Sequence, residues 1–141
     1  MGREYVVLVC GCREKWMDED ERMAAIAQTF FRIRALKEKF KERLVVLTGG
    51  ASGVDTYAMQ AAQELGIPLR TSRPDYQKYG KRAPLIRDEQ MVDHAHHVIG
   101  FWNGVSSGTG HTLKYAREMR VSHEVHYVNN RRQYRRKKLD E

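Results

Sequence analysis

The chain has 141 residues, enough for one domain with its own core, and its 41% hydrophobic and 30% charged residues are an ordinary globular balance. The formal net charge is +7, and the two cysteines are Cys10 and Cys12. A Cys-x-Cys spacing along one extended segment does not bridge without strain, and no second cysteine pair completes a zinc site, which sets aside a disulfide scaffold and a zinc module in favour of reduced thiols.

Residues 4–10 form a nearly continuous apolar run, the pattern of a strand covered on both faces. The run Val6-Val7-Leu8-Val9 is too short for a signal-peptide core or a membrane span, so a soluble cytoplasmic protein with no membrane partner is expected. Residues 20–41 are rich in helix formers, with Met23, Ile26, Ala27, Phe30, Ile33 and Phe40 at helical spacings. A second buried strand follows at 44–47, then the turn Thr48-Gly49-Gly50-Ala51-Ser52-Gly53, then a helix over 54–65 closed by Gly66. Residues 67–71 read as a weaker strand, and Pro68 near its start implies an edge position. A polar loop runs over 72–83, and Pro84 is placed to open a helix that ends near Ala95. A fourth strand at 97–102, a loop at 103–108, a helix over 109–120 and a fifth strand at 124–128 complete the order.

Strands alternating with helices predict an α/β fold: a single Rossmann-like three-layer domain over residues 1–130, with a five-stranded, mainly parallel sheet. Residues 131–141 are a basic tail, with Arg131, Arg132, Arg135, Arg136, Lys137 and Lys138 against Asp140 and Glu141. Such a tail serves either as an arm for nucleic acid or as a solvated terminus.

Ligands of such sheets bind beyond the carboxyl ends of the strands. Three loops fall at that edge: Gly11-Cys12-Arg13, the turn from Gly49 through Gly53, and Ser106-Ser107-Gly108-Thr109-Gly110. Glycine-rich turns opening onto helices offer free N–H groups to a phosphate, Ser52, Ser106, Ser107 and Thr109 add hydroxyls, and Arg13 adds a fixed charge. Asp55 either caps its helix with Ser52, in a Ser-x-x-Asp version of the capping box, or bonds a ribose hydroxyl. Arg87, placed in the first turn of its helix against the dipole, is either a ligand contact or a surface arginine. The loop over 73–81, with its tyrosines and cations including Lys81, suits a lid over a base and phosphates or a plain connection. No Gly-x-Gly-x-x-Gly follows the first strand and no P-loop is present, which disfavours dinucleotide oxidoreductases and P-loop ATPases. His94, His96 and His97 crowd the opposite edge without further ligands, and no metal is expected.

With these residues in view, the chain resembles the SLOG superfamily, in its YspA-like branch. The resemblance rests on Gly11-Cys12-Arg13 (Gly-Ser-Arg is usual), Gly49-Gly50-Ala51-Ser52-Gly53-Val54-Asp55, and Gly66-Ile67-Pro68. It continues through Asp75-Tyr76-x-x-Tyr79-Gly80-Lys81, Arg87-Asp88-x-x-Met91 and Phe101-Trp102-x-Gly104-x-Ser106-x-Gly108-Thr109. It implies a Rossmann-like fold, a homodimer, and a nucleotide or NAD-derived nucleotide as ligand, sensed or sequestered, with no cofactor required. The LOG family, on a similar scaffold, hydrolyses nucleoside monophosphates at the N-glycosidic bond, which would give Arg87 a phosphate-binding or charge-stabilising role. Its catalytic Glu would fall at Thr112 here, and a glycosidic cleavage needs a carboxylate. The DNA-processing protein A family, whose Ser-Gly-Gly-Ala-x-Gly-Ile-Asp stretch is similar to residues 48–55, implies single-stranded DNA binding as the third reading.

Overall fold

The computed structural model describes residues 3–129; the basic tail lies outside them. Strand β1 (Tyr5–Gly11) leads through a 3-10 turn (Glu14–Trp16) into helix α1 (Glu19–Phe40), and β2 (Leu44–Thr48) into α2 (Val54–Glu64). Then come β3 (Leu69–Thr71), the single turn α3 (Tyr76–Tyr79), a 3-10 turn (Gly80–Arg82) and α4 (Ala83–Asp93). Strand β4 (His97–Trp102), helix α5 (Ser107–Glu118) and β5 (Ser122–Tyr127) finish the chain. The sheet order is β3-β2-β1-β4-β5, and every pairing is parallel. This is the three-layer Rossmann-like α/β arrangement expected from the alternation of elements.

The continuous apolar strands carry two cores, one per face. Alternate residues Val7, Val9, Val46, Ile99 and Phe101 meet α1 and α2 through Ala25, Ile33, Val54 and Ala58. The intervening residues Val6, Leu8, Cys10, Val45, Leu47 and Val98 meet α4 and α5 through Met91, Val92, Leu113 and Ala116. Period-two alternation in a doubly covered sheet produces this division. Strand β3 is an edge strand, and Pro68 sits just before it, where its carbonyl accepts the Val46 N–H at 3.0 Å.

Local starts differ from the expected ones. Helix α4 begins at Ala83, with Pro84 second, because the 3-10 turn before it already has helical backbone. Helix α5 begins at Ser107, two residues early, because the Asn103 side chain folds the preceding loop by accepting the Val105 and Ser106 N–H groups, both at 2.9 Å. The polar stretch at 72–83 carries two short helical turns rather than an open loop.

Strand order reverses between β1 and β4, since β1 runs on to β2 on one side and pairs with β4 on the other. The carboxyl ends of these two strands part the loops that follow them, and a crevice opens there.

Candidate functional site

The crevice is a cleft of about 770 Å³. Its walls come from the end of β1 and the turn after it (Cys10, Gly11, Arg13, Lys15, Trp16), from α4 (Pro84, Leu85, Arg87, Asp88, Met91) and from the start of α5 with its loop (Asn103, Val105, Ser106, Ser107, Gly108, Thr109, Thr112). The turn after β2 contributes Ala51, and α2 contributes Asp55.

The two glycine-rich turns prove chemically different. In the turn after β2, the acceptor for the backbone N–H groups is already in the protein: Asp55 takes the Ala51 N–H at 3.1 Å and is also bonded by that of Gly49. The expected Ser52–Asp55 capping box is therefore not formed. Gly53, at φ +89°, is the N-cap and has no side-chain bond, so the helix starts one residue later than the box requires. The glycines here face protein, not cleft. A Cβ on Gly53 would lie 2.3 Å from the Cys12 carbonyl oxygen, and one on Gly49 would lie 2.8 Å from the Arg87 guanidinium. Gly49, Gly50, Ser52 and Gly53 stand outside the lining, and only Ala51 and Asp55 reach it.

Helix α5 is the open one. Its N-cap, Ser106, makes no side-chain capping bond, in contrast to α1, where Asp18 and Glu21 form a complete capping box. Ser106 instead donates its own N–H to Asn103 and meets the Cys12 thiol at 3.6 Å. The first-turn N–H groups of Ser107, Gly108 and Thr109 have no acceptor within an α-helix, and all three residues line the cleft. A Cβ at Gly108 would meet nothing within 4 Å, so that approach is clear. Arg13 and Lys15, both exposed, add positive charge to the same cleft.

The opposite wall is acidic. Asp55 is 8% exposed and Asp88 9%. Burial pushes the Asp55 carboxyl up to about 6, against the N–H bond from Ala51 and the pull of Arg87. Burial also raises Asp88, against the attraction and hydrogen bond of Arg87. Arg87 itself is buried and committed to the protein. Its Nε donates to Asp88 at 2.7 Å, and its Nη1 donates to the carbonyls of Gly49 at 2.9 Å and Ser72 at 3.2 Å. Because α4 starts at Ala83, Arg87 lies in its second turn, not its first, and the unfavourable helix dipole is not an argument for it. Arg87 ties the β2 turn and the start of the following loop to α4, with one edge at the cleft.

Two other expected site residues stand elsewhere. Lys81 is exposed on the 3-10 turn and stands outside the lining, as do Tyr76 and the half-buried Tyr79 of α3, the tyrosines of the expected lid. Cys12 is buried and braces the loops, its sulfur accepting the Asn103 N–H at 3.1 Å. The lining thiol is that of Cys10, which burial and the Asp55 and Asp88 carboxylates hold well above its ordinary value, in the protonated form. Residues not foreseen include Trp16 of the 3-10 turn, Leu85 of α4 and Val105 of the loop before α5, which are 60%, 39% and 75% exposed and form an apolar rim. Among the described residues no cluster of three or more His, Cys, Asp or Glu suits a metal ion. No helix among them is long and apolar enough to cross a membrane.

A model of the YspA, cpYpsA-related SLOG family (YAcAr) matches residues 5–79. The chain belongs to that family. The match spans β1 to α3 of this YAcAr domain, so the Gly11 and Gly49–Gly53 motifs fall inside it and the Arg87 and Ser106–Thr109 motifs beyond it. No curated protein matches the chain. Among solved structures, it is similar to the molybdenum cofactor binding protein of Rippkaea orientalis, at 18% identity and a TM-score of 0.66, over 89% of this chain and 77% of that one. The Moco carrier protein of Chlamydomonas reinhardtii gives 15% identity and 0.61, over 88% and 76%. DNA processing protein A of Streptococcus pneumoniae gives 16% and 0.56, over 89% of this chain and half (50%) of that one. At these identities the likeness is one of fold.

Proposed function

We propose that this YAcAr domain binds a nucleotide or nucleotide-derived ligand in the β1–β4 crevice, as a sensing or sequestering module. The observation that carries the reading is the uncapped first turn of α5 opening into a cleft that also holds Arg13 and Lys15. Backbone donors at a helix N-terminus beside fixed cations are the chemistry of a phosphate seat. The exposed rim of Trp16, Leu85 and Val105 offers the apolar contact a flat base requires. Asp55 and Asp88, at the other wall, accept from donors such as ribose hydroxyls or base amines. The similarly folded carriers of molybdenum cofactor lend support at the level of a ligand-holding scaffold. Free thiols at Cys10 and Cys12 fit a cytoplasmic setting.

Isothermal titration with nucleoside monophosphates, nucleoside diphosphates and NAD tests the reading. Arg13→Ala removes a charge-assisted contact and weakens the bound nucleotide by roughly 10-fold or more. Unchanged affinity in Arg13→Ala and Lys15→Ala, or no binding by any of these ligands at millimolar concentration, overturns it.

A second reading, hydrolysis of the N-glycosidic bond, is favoured by one observation. The carboxylate that a LOG-type motif would place at Thr112 is missing, but Asp55 supplies a buried one with a raised pKa in the same cleft. Water would add to the anomeric carbon as the bond to the base breaks, Asp55 taking the water proton and the base leaving with one from solvent. Release of free base from a nucleoside monophosphate, abolished in Asp55→Asn, supports this reading; full recovery of intact nucleotide rejects it.

A further inference from the structure

Helix α1 buries Ala25, Thr29, Ile33 and Leu36 against the sheet and α2. Its far side is apolar as well. Met23, Ile26 and Phe31 are 61%, 42% and 56% exposed, with exposed Ala27 and half-buried Phe30 between them. Positions 23, 26, 27, 30 and 31 follow the i, i+3, i+4, i+7, i+8 spacing of a single helical stripe. A soluble chain keeps large apolar side chains together on an exposed helix face where something covers them.

The charges on either side of the stripe say what fits. Four carboxylates, Asp18, Glu19, Asp20 and Glu21, stand before it with Arg22. Five cations, Arg32, Arg34, Lys37, Lys39 and Lys41, stand after it with Glu38, and of these Arg32 is already paired with Glu124. A second α1 laid antiparallel across the first places stripe on stripe and each acidic end beside the partner's basic end. A parallel pair would set like against like. Two-fold pairing of one patch with itself is the simplest closed assembly, and the opposed helix dipoles favour the same direction.

We propose that α1 is the self-association surface of this protein, pairing antiparallel with α1 of a second copy through Met23, Ile26, Ala27, Phe30 and Phe31. The surface lies on the α1–α2 face of the sheet, and the inference stands independently of what the crevice binds.

Sedimentation equilibrium of the full chain at tens of micromolar tests it. A dimer is expected, and Phe31→Glu, which puts a carboxylate in the middle of the stripe, sediments as a monomer with an unchanged circular dichroism spectrum. Direction is tested by charge exchange. Glu19→Lys/Asp20→Lys makes both ends basic, and Lys37→Glu/Lys39→Glu makes both ends acidic. Each double variant alone is monomeric or weakened at least ten-fold, and an equimolar mixture of the two recovers the dimer mass. A monomeric parent chain, a dimer indifferent to Phe31→Glu, or a mixture no tighter than its components each overturns the proposal.

Discussion

Replacing Asp55 with asparagine isolates the free-energy cost that the cleft imposes on the fold. In the native chain burial raises this carboxyl from 3.8 to about 6, so the folded protein holds a proton that the unfolded chain has released. The gap of about two units corresponds to on the order of 3 kcal/mol. The sign follows from which state binds more protons. Across the window from 3.8 to about 6 the folded state binds more, so the stability linked to Asp55 is fully present below the window and is lost as the pH rises through it. Asparagine has nearly the same shape, carries no titrating proton and keeps an oxygen to accept the Ala51 N–H. Urea unfolding of both proteins, at pH steps on either side of the window, gives the variant-minus-parent stability as a function of pH. That difference rises by about 3 kcal/mol on crossing the window and is flat beyond it. The attraction to Arg87 appears only as the carboxylate forms and is already contained in the net shift to about 6. A difference that stays flat, or falls, across the window refutes the buried, destabilised carboxylate and removes the support it lends to hydrolysis.

Gly53→Ala places a Cβ 2.3 Å from the Cys12 carbonyl oxygen at a φ of +89° and lowers stability by more than ~2 kcal/mol in urea unfolding. Gly66→Ala, at a φ of +66° with nothing within 4 Å, carries only the backbone strain of about 1–2 kcal/mol. Burial raises Glu124, but hydrogen bonds from Arg32, His97 and His126 prevail and bring its carboxyl from 4.5 down to about 2. The stability linked to it is present above 4.5 and lost as the pH falls toward about 2, so Glu124→Gln flattens that acid limb of the stability profile.

The sheet was legible because its strands are apolar on both faces and its helices are periodic, and Pro68 marked the edge through chemistry confined to its own residue. The cleft was legible only in part. Its location follows from strand order, and Arg13, Ser107, Gly108 and Thr109 follow from being polar or small at the right loops. Only the capping alternative for Asp55 failed, because the positive φ of Gly53 moves the helix start by one residue; glycine composition does not say which side the missing Cβ faces. Arg87 fell just past the first turn because the 3-10 segment runs into the helix at Ala83, one residue before Pro84. Trp16 gave no periodic signal, lying in a charged stretch between β1 and α1. Cys10 was within reach, since the alternation Val6, Leu8, Cys10 carries it to the α4–α5 face at the last position of the strand pointing that way.

The position of β1 at the centre of the sheet orders events during synthesis. Its first neighbour, β2, is made some forty residues after it begins, but its second, β4, is complete only at Trp102. Until then one long edge of the innermost strand has no partner, and the α5 wall of the cleft has not been made. A nascent chain stopped after α3 would carry the whole family-matched stretch and still lack the α4 and α5 walls of the cleft, so the cleft is complete only when the second half of the protein has docked onto the first.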